Sequence, residues 1–461
     1  MSSIAEELNT INLGDQRLNR RARRVLEKLY AQPGASIPAA CGGWSDTKAA
    51  YRLFDQEGVT GPQILEPHYQ ASVERMAAHE VVLCIQDTTE LDYTGKTIAG
   101  LGPLNYENRQ GLYVHPTVAV TPERLSLGVL DAWNWSREPG SLGVKGGSHR
   151  PIEEKESIRW LEGYQRINEL AGDLPETQLV YMADREADIY ELFAEGARAC
   201  AQGQRSADWL VRGAQDRCLA EGTDAKLNAA VRAAPVLTQI EFDLPSRKGN
   251  KARPVRQQLK VAQVRLKPPY RVGYKLDEVT VTVLLAEEIA PPHGEAPLTW
   301  LLLTNRPVVT AEQAAELLSW YLCRWQIELF FKILKSGCKI EELQLETLER
   351  LEPALALYLI IAWRVLYLTM LGRTCPELPC DAVFAKEEWH AAYIVTHRQP
   401  PPETAPSLNE MIRMVAGFGG FLNRKGDGFP GAETLWIGLT RCHDFVIAMQ
   451  AQRAMLGQSY G

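Results

Sequence analysis

Apolar residues near the N-terminus recur at the spacing of an α-helix. Four of them lie three or four positions apart, at Leu18, Ala22, Val25 and Leu29. This period predicts a helix with one apolar face over residues 17–30. A second helix is expected from about Ser45, which can cap it, to Phe54. We therefore predict a helical N-terminal domain over residues 1–72.

From Val81 the pattern changes to the short apolar runs of β-strands. Three runs separated by short polar turns predict an antiparallel meander, at 81–87, 111–120 and 125–135. Then come a helix, a strand, a second helix and a second strand, at about 153–171, at 179–184, from about Ala187, and at 206–214. Because a strand–helix–strand order implies a crossover connection, the predicted sheet is mixed.

Residues 218–300 are again rich in β-forming residues, and residues 311–371 return to helical spacing. We interpret the first segment as a β-rich insertion in an α/β core that spans residues 73–373. Residues 374–461 contain further amphipathic helical stretches. The predicted fold class is α/β, with a mixed sheet flanked by helical N-terminal and C-terminal domains.

The longest apolar stretch, residues 353–371, approaches the length of a membrane span. Arg364 lies within it, and because a charge at mid-bilayer is costly we expect a buried core helix. The N-terminal residues carry acids where a signal peptide has basic and apolar regions, so no export is expected. The nine cysteines are scattered without a CxxC pair, which favours reduced thiols in a cytosolic protein.

The composition is that of an ordinary globular protein, with 461 residues, of which 45% are hydrophobic and 23% charged. Fifty Lys and Arg residues against 57 Asp and Glu residues give a formal charge of −7. That balance alone argues against a nucleic-acid partner, because phosphate binding draws on clustered basic residues. The basic residues are, however, concentrated in a few segments, so the charge of a contact surface differs from the average.

Two predicted core strands end on an aspartate. Asp87 follows the apolar run from Val81, and Asp184 follows the run from Leu179. Ligand sites of α/β folds tend to form at such strand ends. Aspartate is also common in turns and at helix N-caps, which leaves a purely structural role open for each residue.

A third acid, Glu328, shares a predicted helix face with other polar residues. At about 100° per residue, one stripe of the helical segment 319–337 holds Tyr321, Arg324, Glu328 and Lys335. A solvated charged face would produce similar ion-pair spacings. The tyrosine in the stripe and the apolar remainder of the helix favour a functional surface instead.

Three converging carboxylates would offer hard oxygen ligands, which suit Mg²⁺ or Mn²⁺ better than Zn²⁺. Two such ions can activate a nucleophilic oxygen and stabilise the leaving oxygen of a phosphoryl displacement. The chemistry indicated is phosphodiester cleavage and transfer, with Asp87, Asp184 and Glu328 as candidate ligands. Spacing leaves other nearby acids open as alternatives, namely Glu90, Asp92, Glu186, Asp188 and Glu191.

Six segments spread over most of the chain carry recognisable motifs: LGDQRLNRRARRV, ACGGWSDTKAAYRLFD, CIQDTT, ADREADIY, WLLLTNRPV and GGFLNRKGDGFPGAETLWIGL. They resemble the DDE transposases of bacterial insertion sequences in the IS-four family, especially the transposon-five type. The Y-(2)-R-(3)-E-(6)-K motif of that family is met by Tyr321, Arg324, Glu328 and Lys335.

The resemblance implies an RNase H-like catalytic domain in which Asp87, Asp184 and Glu328 bind Mg²⁺, with Mn²⁺ as a substitute. It implies a cut-and-paste reaction, with hydrolysis at each transposon end, a hairpin intermediate and joining to target DNA. The C-terminal helices would hold two protomers together as a homodimer on double-stranded DNA. The expected location is the bacterial cytoplasm.

Three groups of residues are predicted to contact DNA. The first is a basic helix face with part of the next helix, at Arg17, Arg20, Arg21, Arg24, Lys48 and Arg52. The second is the segment 247–275, which has ten Lys or Arg residues and no acid, and includes Arg253 and Arg256. The third comprises Trp300 and Trp325, either of which could stack on an extruded base, and the phosphate contacts implied by resemblance at Tyr321, Arg324, Lys332, Lys335 and Arg212.

A structural role without DNA contact stays open for each group, because exposed basic residues often form only a solvated surface and tryptophans usually pack in a core. Two other functions also stay open. One is an RNase H-fold nuclease or a copy-making transposase that forms no hairpin. The other is a catalytically restrained DNA-binding regulator, or a domesticated derivative that has kept the fold.

Overall fold

The structure, a computed structural model, describes residues 3–106, 108–140, 149–222, 225–244 and 252–457. Its contacts divide the chain into two compact units. We call residues 1–76, 88–142 and 325–461 the terminal unit, and residues 77–87 and 143–324 the central unit. The predicted domain boundaries at residues 72 and 373 stay a prediction.

The strands of the described residues are β1 (Val81–Gln86), β2 (Thr89–Asp92), β3 (Gly102–Pro103), β4 (Gln110–Val120), β5 (Ser126–Trp135), β6 (Gln178–Ala183), β7 (Asp208–Arg212), β8 (Val236–Leu244), β9 (Arg253–Leu266), β10 (Val279–Glu288) and β11 (Thr299–Thr304). The α-helices are α1 (Gln16–Ala31), α2 (Ile37–Cys41), α3 (Trp44–Phe54), α4 (Gly61–Met76), α5 (Ile158–Asp173), α6 (Tyr190–Ala201), α7 (Leu227–Ala233), α8 (Ala311–Cys323), α9 (Trp325–Lys332), α10 (Leu348–Thr374), α11 (Lys386–His397), α12 (Leu408–Phe418) and α13 (Ala432–Met455).

The central unit is built on a mixed sheet. β6 pairs in parallel with both β1 and β7, and α5 and α6 belong to the intervening crossover segments. β11 pairs antiparallel with β7, and β10, β9 and β8 follow as further antiparallel strands. The predicted β-rich segment at 218–300 thus contributes β8, β9 and β10 as an extension of the core sheet.

Two predicted helices of the central unit begin later than their sequence patterns suggest. The helix expected from residue 153 begins at Ile158, because residues Ile152–Glu154 form a separate 3-10 turn. The helix expected near Ala187 begins at Tyr190, because Arg185–Ala187 forms a 3-10 turn that Asp184 caps. Helical periodicity cannot separate such turns from the helix that follows them.

The first helices of the terminal unit follow the predicted pattern closely. α1 buries Ala22, Val25 and Leu29, whereas Leu18 is half-buried. The expectation that Ser45 caps the next helix is wrong, because α3 begins one residue earlier and Gly43 occupies its N-cap position. The strands of this unit form an antiparallel group, in which β4 pairs with β2, β3 and β5.

A buried ionic cluster fastens the N-terminal segment within the terminal unit. Glu7, in a 3-10 helix over Ile4–Leu8, accepts hydrogen bonds from Arg75 Nη1 at 3.0 Å and Nη2 at 3.2 Å. His68 Nδ1 lies 2.5 Å from the same carboxylate, and His68 Nε2 accepts from the backbone N–H of Val129 at 3.0 Å. Because Nε2 accepts, the ring is neutral and Nδ1 carries its proton. The cluster therefore ties the first residues to α4 and β5.

α10 is the predicted core helix. Its length and composition would suit a membrane span, but 94% of its most apolar window is buried in the protein. Arg364, at mid-helix, is also buried and donates to the carbonyl of Val383 at 2.6 Å. The prediction of a buried core helix is confirmed.

Candidate active site and DNA-binding surfaces

Asp87 and Asp184 follow two neighbouring strands of the central unit. β1 and β6 pair in parallel up to Ile85 and Met182, and each aspartate comes directly after its strand ends. Both side chains are half-buried. Since parallel strands point the same way and lie about 4.8 Å apart, the two carboxylates emerge at one edge of the sheet.

Each aspartate has an interaction that fixes it. Arg324 Nη1 lies 2.8 Å from Asp87 Oδ2. Asp184 accepts a hydrogen bond from the backbone N–H of Glu186 at 2.8 Å. Two residues that the sequence assigns to one site, Asp87 and Arg324, are therefore in direct contact, and Asp184 also has the structural role of an N-cap.

Positive charge gathers around these carboxylates. Arg212 ends β7, and burial lowers its pKa, with the charges of Arg185 and Arg324 acting in the same direction. Burial likewise raises the pKa of Tyr321, against the influence of Arg324 and Arg212. Sequence reasoning missed Arg185, although it directly follows Asp184.

The segment 319–337 is not the single regular helix assumed for the polar stripe. α8 ends at Cys323, α9 carries Glu328, and Ile333–Gly337 forms a turn of π-helix that contains Lys335. Lys335 Nζ lies 3.8 Å from Glu341, and Lys332 Nζ lies 2.8 Å from Glu433. Single π turns inside helices often occur at functional sites. The common stripe of all four motif residues stays a prediction.

The donor chemistry of the two aspartates fits a hard divalent cation, because carboxylate oxygens are the ligands such ions prefer. Glu328, the third predicted ligand, belongs to the terminal unit. Across the described ranges, no group of three or more His, Cys, Asp or Glu side chains is close enough to hold a metal ion. The structure places Asp87 and Asp184 at one edge of the sheet, and metal binding by Glu328 stays a prediction.

Most of the alternative acids have structural partners. Asp188 is buried and pairs with Arg217, and Glu191 pairs with Arg271 at 2.5 Å. Arg109 bridges Glu90 and Asp92, at distances of 3.4 Å and 3.0 Å. Glu186 is exposed in the turn after Asp184. What distinguishes Asp87 and Asp184 from these acids is their position directly after two adjacent parallel strands.

The basic face predicted for α1 is largely exposed. Arg17, Arg20 and Arg24 are exposed, and Arg21 is half-buried. Asp46 in α3 joins the two helices, because it lies 2.9 Å from Arg24 and 3.6 Å from Lys28. On α3 both Lys48 and Arg52 are exposed. Sequence reasoning missed the exposed Trp44 beside them, for which only its position at the start of a basic helix gave a signal.

In the β-rich segment the two selected arginines differ. Arg253 is bound to the buried carboxylate of Glu288 and lies 3.5 Å from Glu295, whereas Arg256 is exposed. The hydrogen bond from Arg253 lowers the pKa of Glu288. Residues 247–251 of the predicted basic segment lie outside the described residues. Arg256 is therefore the better phosphate-binding candidate of the two.

The two candidate stacking residues are also unlike. Trp300 lies half-buried in β11, with its ring stacked near Phe242 at a centroid distance of 6.3 Å. Trp325, the first residue of α9, is 52% exposed. Neither tryptophan lies among the largest fully buried side chains of the described core.

Three family models match the chain. A transposase DNA-binding model matches residues 1–59, a transposase DDE domain model matches residues 202–364, and a Tn5 transposase dimerisation domain model matches residues 360–459. A cryo-EM structure of a piggyBac transposase synaptic complex with hairpin DNA is similar at 9% identity and a TM-score of 0.37. That likeness covers 78% of this chain and 67% of the other and is too low to bear on function.

The matches cover residues 1–59 and 202–459, more than half of the chain. The structure confirms the predicted α/β fold class, with its mixed sheet and helical termini. The family matches confirm a DNA-cleaving and strand-transfer enzyme. They also support DNA binding, dimer formation and dependence on a divalent metal ion. The DNA-binding, catalytic and dimerisation segments occur here in one chain, which belongs to the Tn5-like DDE transposases.

Proposed function

We propose that this transposase works by a cut-and-paste mechanism with a hairpin intermediate. Asp87, Asp184 and Glu328 would hold Mg²⁺, for which Mn²⁺ can substitute. The observation that carries the proposal is the placement of Asp87 and Asp184 at the ends of adjacent parallel strands. The DDE domain match over residues 202–364, a range that contains Glu328, independently supports DNA cleavage and strand transfer as the type of reaction.

The bound cations would activate the attacking oxygen and stabilise the leaving oxygen of each displacement. Water attacks first and releases a 3′-OH at each transposon end. This 3′-OH attacks the opposite strand, so that one phosphodiester bond forms as another breaks and a hairpin results. Water opens the hairpin, and the freed 3′-OH joins the target DNA in the same manner. One set of carboxylates would serve all four steps.

The basic residues around the carboxylates would bind and orient the DNA backbone. Guanidinium groups match phosphate geometry with two parallel hydrogen bonds, which suits Arg212 and Arg324 to this task. The buried Tyr321 hydroxyl can donate a further hydrogen bond. Such fixed donors also stabilise the negative charge that develops on the phosphate in the transition state. Lys332 and Lys335 would also contact DNA phosphates.

The aromatic and helical elements have separate proposed tasks. Trp300 would stack on the base extruded when the hairpin forms, with Trp325 as the second candidate. The basic faces of α1 and α3 would hold the transposon end, while the exposed Arg256 contacts phosphates. The C-terminal helices would join two protomers into a synaptic complex. We infer a bacterial cytoplasmic location, with the protein at the nucleoid when it is bound to DNA.

The catalytic assignment is tested with Asp184→Asn on duplexes that carry the transposon end. Cleavage and strand transfer should fall by roughly 10³-fold or more, because the charge that holds the cation is lost, while end binding stays within about 3-fold. Asp173→Asn is the matched control, since Asp173 is an exposed carboxylate in the same unit. Cleavage that persists in Asp184→Asn would refute the assignment.

Detection of the hairpin intermediate distinguishes the proposed cut-and-paste transposase from the alternative functions. Excised ends of the wild-type protein, run on a denaturing gel, should include a hairpin species. Nicked ends without hairpins would indicate a copy-making transposase or a simple nuclease. End binding without any cleavage would indicate a restrained regulator. Inverted repeats in the DNA that flanks the reading frame would supply the natural substrate.

A further inference from the structure

One face of α3 presents aromatic and basic side chains together to solvent. Trp44, Lys48 and Tyr51 occupy positions i, i+4 and i+7 of this helix, so they share one face, and Arg52 lies next to it. Trp44 is 76% exposed and Tyr51 is 36% exposed. Lys48 and Arg52 are exposed as well.

The fold gains little from the Trp44 ring. Trp209 and Trp363, by contrast, are fully buried in the described core. The Lys48 ammonium lies 5.7 Å from the centroid of the Trp44 ring, which makes a cation–π interaction at an exposed site. Tryptophan, tyrosine and arginine, which lie together on this helix, are the residues enriched among those that carry binding energy at interfaces.

The surroundings of Trp44 are basic and open. Asp46, two residues along α3, pairs with Arg24 and Lys28 of α1, which fixes this end of α3 beside the basic face of α1. Gly42 and Gly43 precede Trp44, and a Cβ atom built on either would meet no atom within 4 Å. The Trp44 ring is thus open to solvent on a helix that also exposes Lys48 and Arg52.

We propose that Trp44 contacts the base edges of the transposon-end duplex and gives the N-terminal domain part of its sequence preference. The inference rests on the proposed function, in which this domain binds the transposon end. Lys48 and Arg52 would bind phosphates, and such contacts fix register without reading sequence. The indole supplies the apolar contact to a base edge, for example a thymine methyl group or an opened base step.

The test compares Trp44→Ala with Lys48→Ala in the full-length protein. Fluorescence anisotropy would measure affinity for the natural end duplex and for a scrambled duplex of equal length, between about 50 and 200 mM salt. Trp44→Ala should lower affinity for the end duplex by roughly 10-fold, with little change for the scrambled duplex or in the salt slope. Lys48→Ala should weaken both duplexes alike and reduce the slope by about 0.9.

Two further measurements fix the interpretation. Trp44→Phe keeps an aromatic ring and should recover most of the lost affinity, and thermal melting should match the wild type because the ring is exposed. An end duplex bound by Trp44→Ala as tightly as by the wild type overturns the inference, as does an equal loss on both duplexes. A wild-type protein that does not distinguish the two duplexes overturns the inference and end recognition in the proposed function together.

Discussion

Replacing Glu7 with glutamine is expected to loosen the attachment of the N-terminal segment to the terminal unit. The Glu7 carboxylate is fully buried, and it receives two hydrogen bonds from Arg75 and one from His68. A glutamine of the same shape offers one acceptor oxygen and turns an amide N–H₂ toward groups that are themselves donors. At least one donor therefore loses its partner inside the protein.

The size of the effect follows from the burial of these groups. Removing one partner of a buried ion pair costs about 3–5 kcal/mol. Arg75 is partly exposed, and it keeps hydrogen bonds to the Leu127 carbonyl at 2.6 Å and to Ser72 at 3.1 Å. The lower end, about 3 kcal/mol, is therefore appropriate. This corresponds to a roughly 100-fold larger population of the locally opened state.

Hydrogen exchange followed by mass spectrometry measures this opening directly. Amides of residues 3–10 and of α4 should lose roughly 100-fold of their protection in Glu7→Gln, while the central unit is unchanged. Glu74→Gln is the matched control, because Glu74 is an exposed carboxylate next to Arg75 on α4. Protection within about 3-fold of the wild type at residues 3–10 would refute the reasoning.

The same cluster predicts a pH dependence of wild-type stability. Burial lowers the pKa of His68 despite the neighbouring Glu7. Burial alone would raise the pKa of Glu7, but the bonds and charges of His68 and Arg75 lower it. In both cases the unfolded chain takes up the proton at the higher pH, so stability falls as pH falls. The loss should begin near pH 6.5 for His68 and continue below about pH 4.3 for Glu7.

Three further predictions concern packing, DNA contacts and metal. Gly163→Ala in α5 should destabilise the central unit by about 1–3 kcal/mol, because its Cβ would come within 2.1 Å of the last side chain of β1. Gly172→Ala in the same helix meets no atom within 4 Å and should be neutral or stabilising in thermal melts. Arg256→Ala should reduce the salt slope of DNA binding by about 0.9, whereas Arg253→Ala should lower the melting temperature, because it leaves Glu288 buried without its partner. A chelator should abolish cleavage but leave end binding within about 3-fold, as measured on gels and by anisotropy.

Local features of this fold could be predicted because each depends on the pattern of residues within a short segment of the chain. The apolar runs of β1 and β6 stop where an aspartate begins, so the positions of Asp87 and Asp184 at strand ends were predicted correctly. α1 was expected over residues 17–30 and spans Gln16–Ala31. The apolar residues of α1 recur regularly along its whole length, so the sequence pattern locates both ends of the helix to within one residue.

Long-range pairings could not be predicted in the same way. Asp87 and Arg324 are separated by 237 positions, and no local pattern joins them. The partner of Arg253 is Glu288, which lies 35 positions away on another strand. The segment 247–275 contains no acid of its own, yet one of its positive charges is neutralised by this distant carboxylate. The π turn at Ile333–Gly337 could not be predicted either. Its hydrogen bonds join residues five positions apart instead of four, and this change over a single turn hardly alters the spacing of apolar residues.

Arg364 affects whether α10 could insert into a membrane before the chain folds. An emerging α10 presents a long apolar stretch, and length and hydropathy alone would make it acceptable to a bilayer. An arginine at the centre of such a helix adds about 2.5–3.5 kcal/mol to the cost of insertion. After folding, the same guanidinium donates a hydrogen bond to the Val383 carbonyl. One side chain thus raises the cost of membrane insertion during synthesis and binds a backbone carbonyl in the finished core.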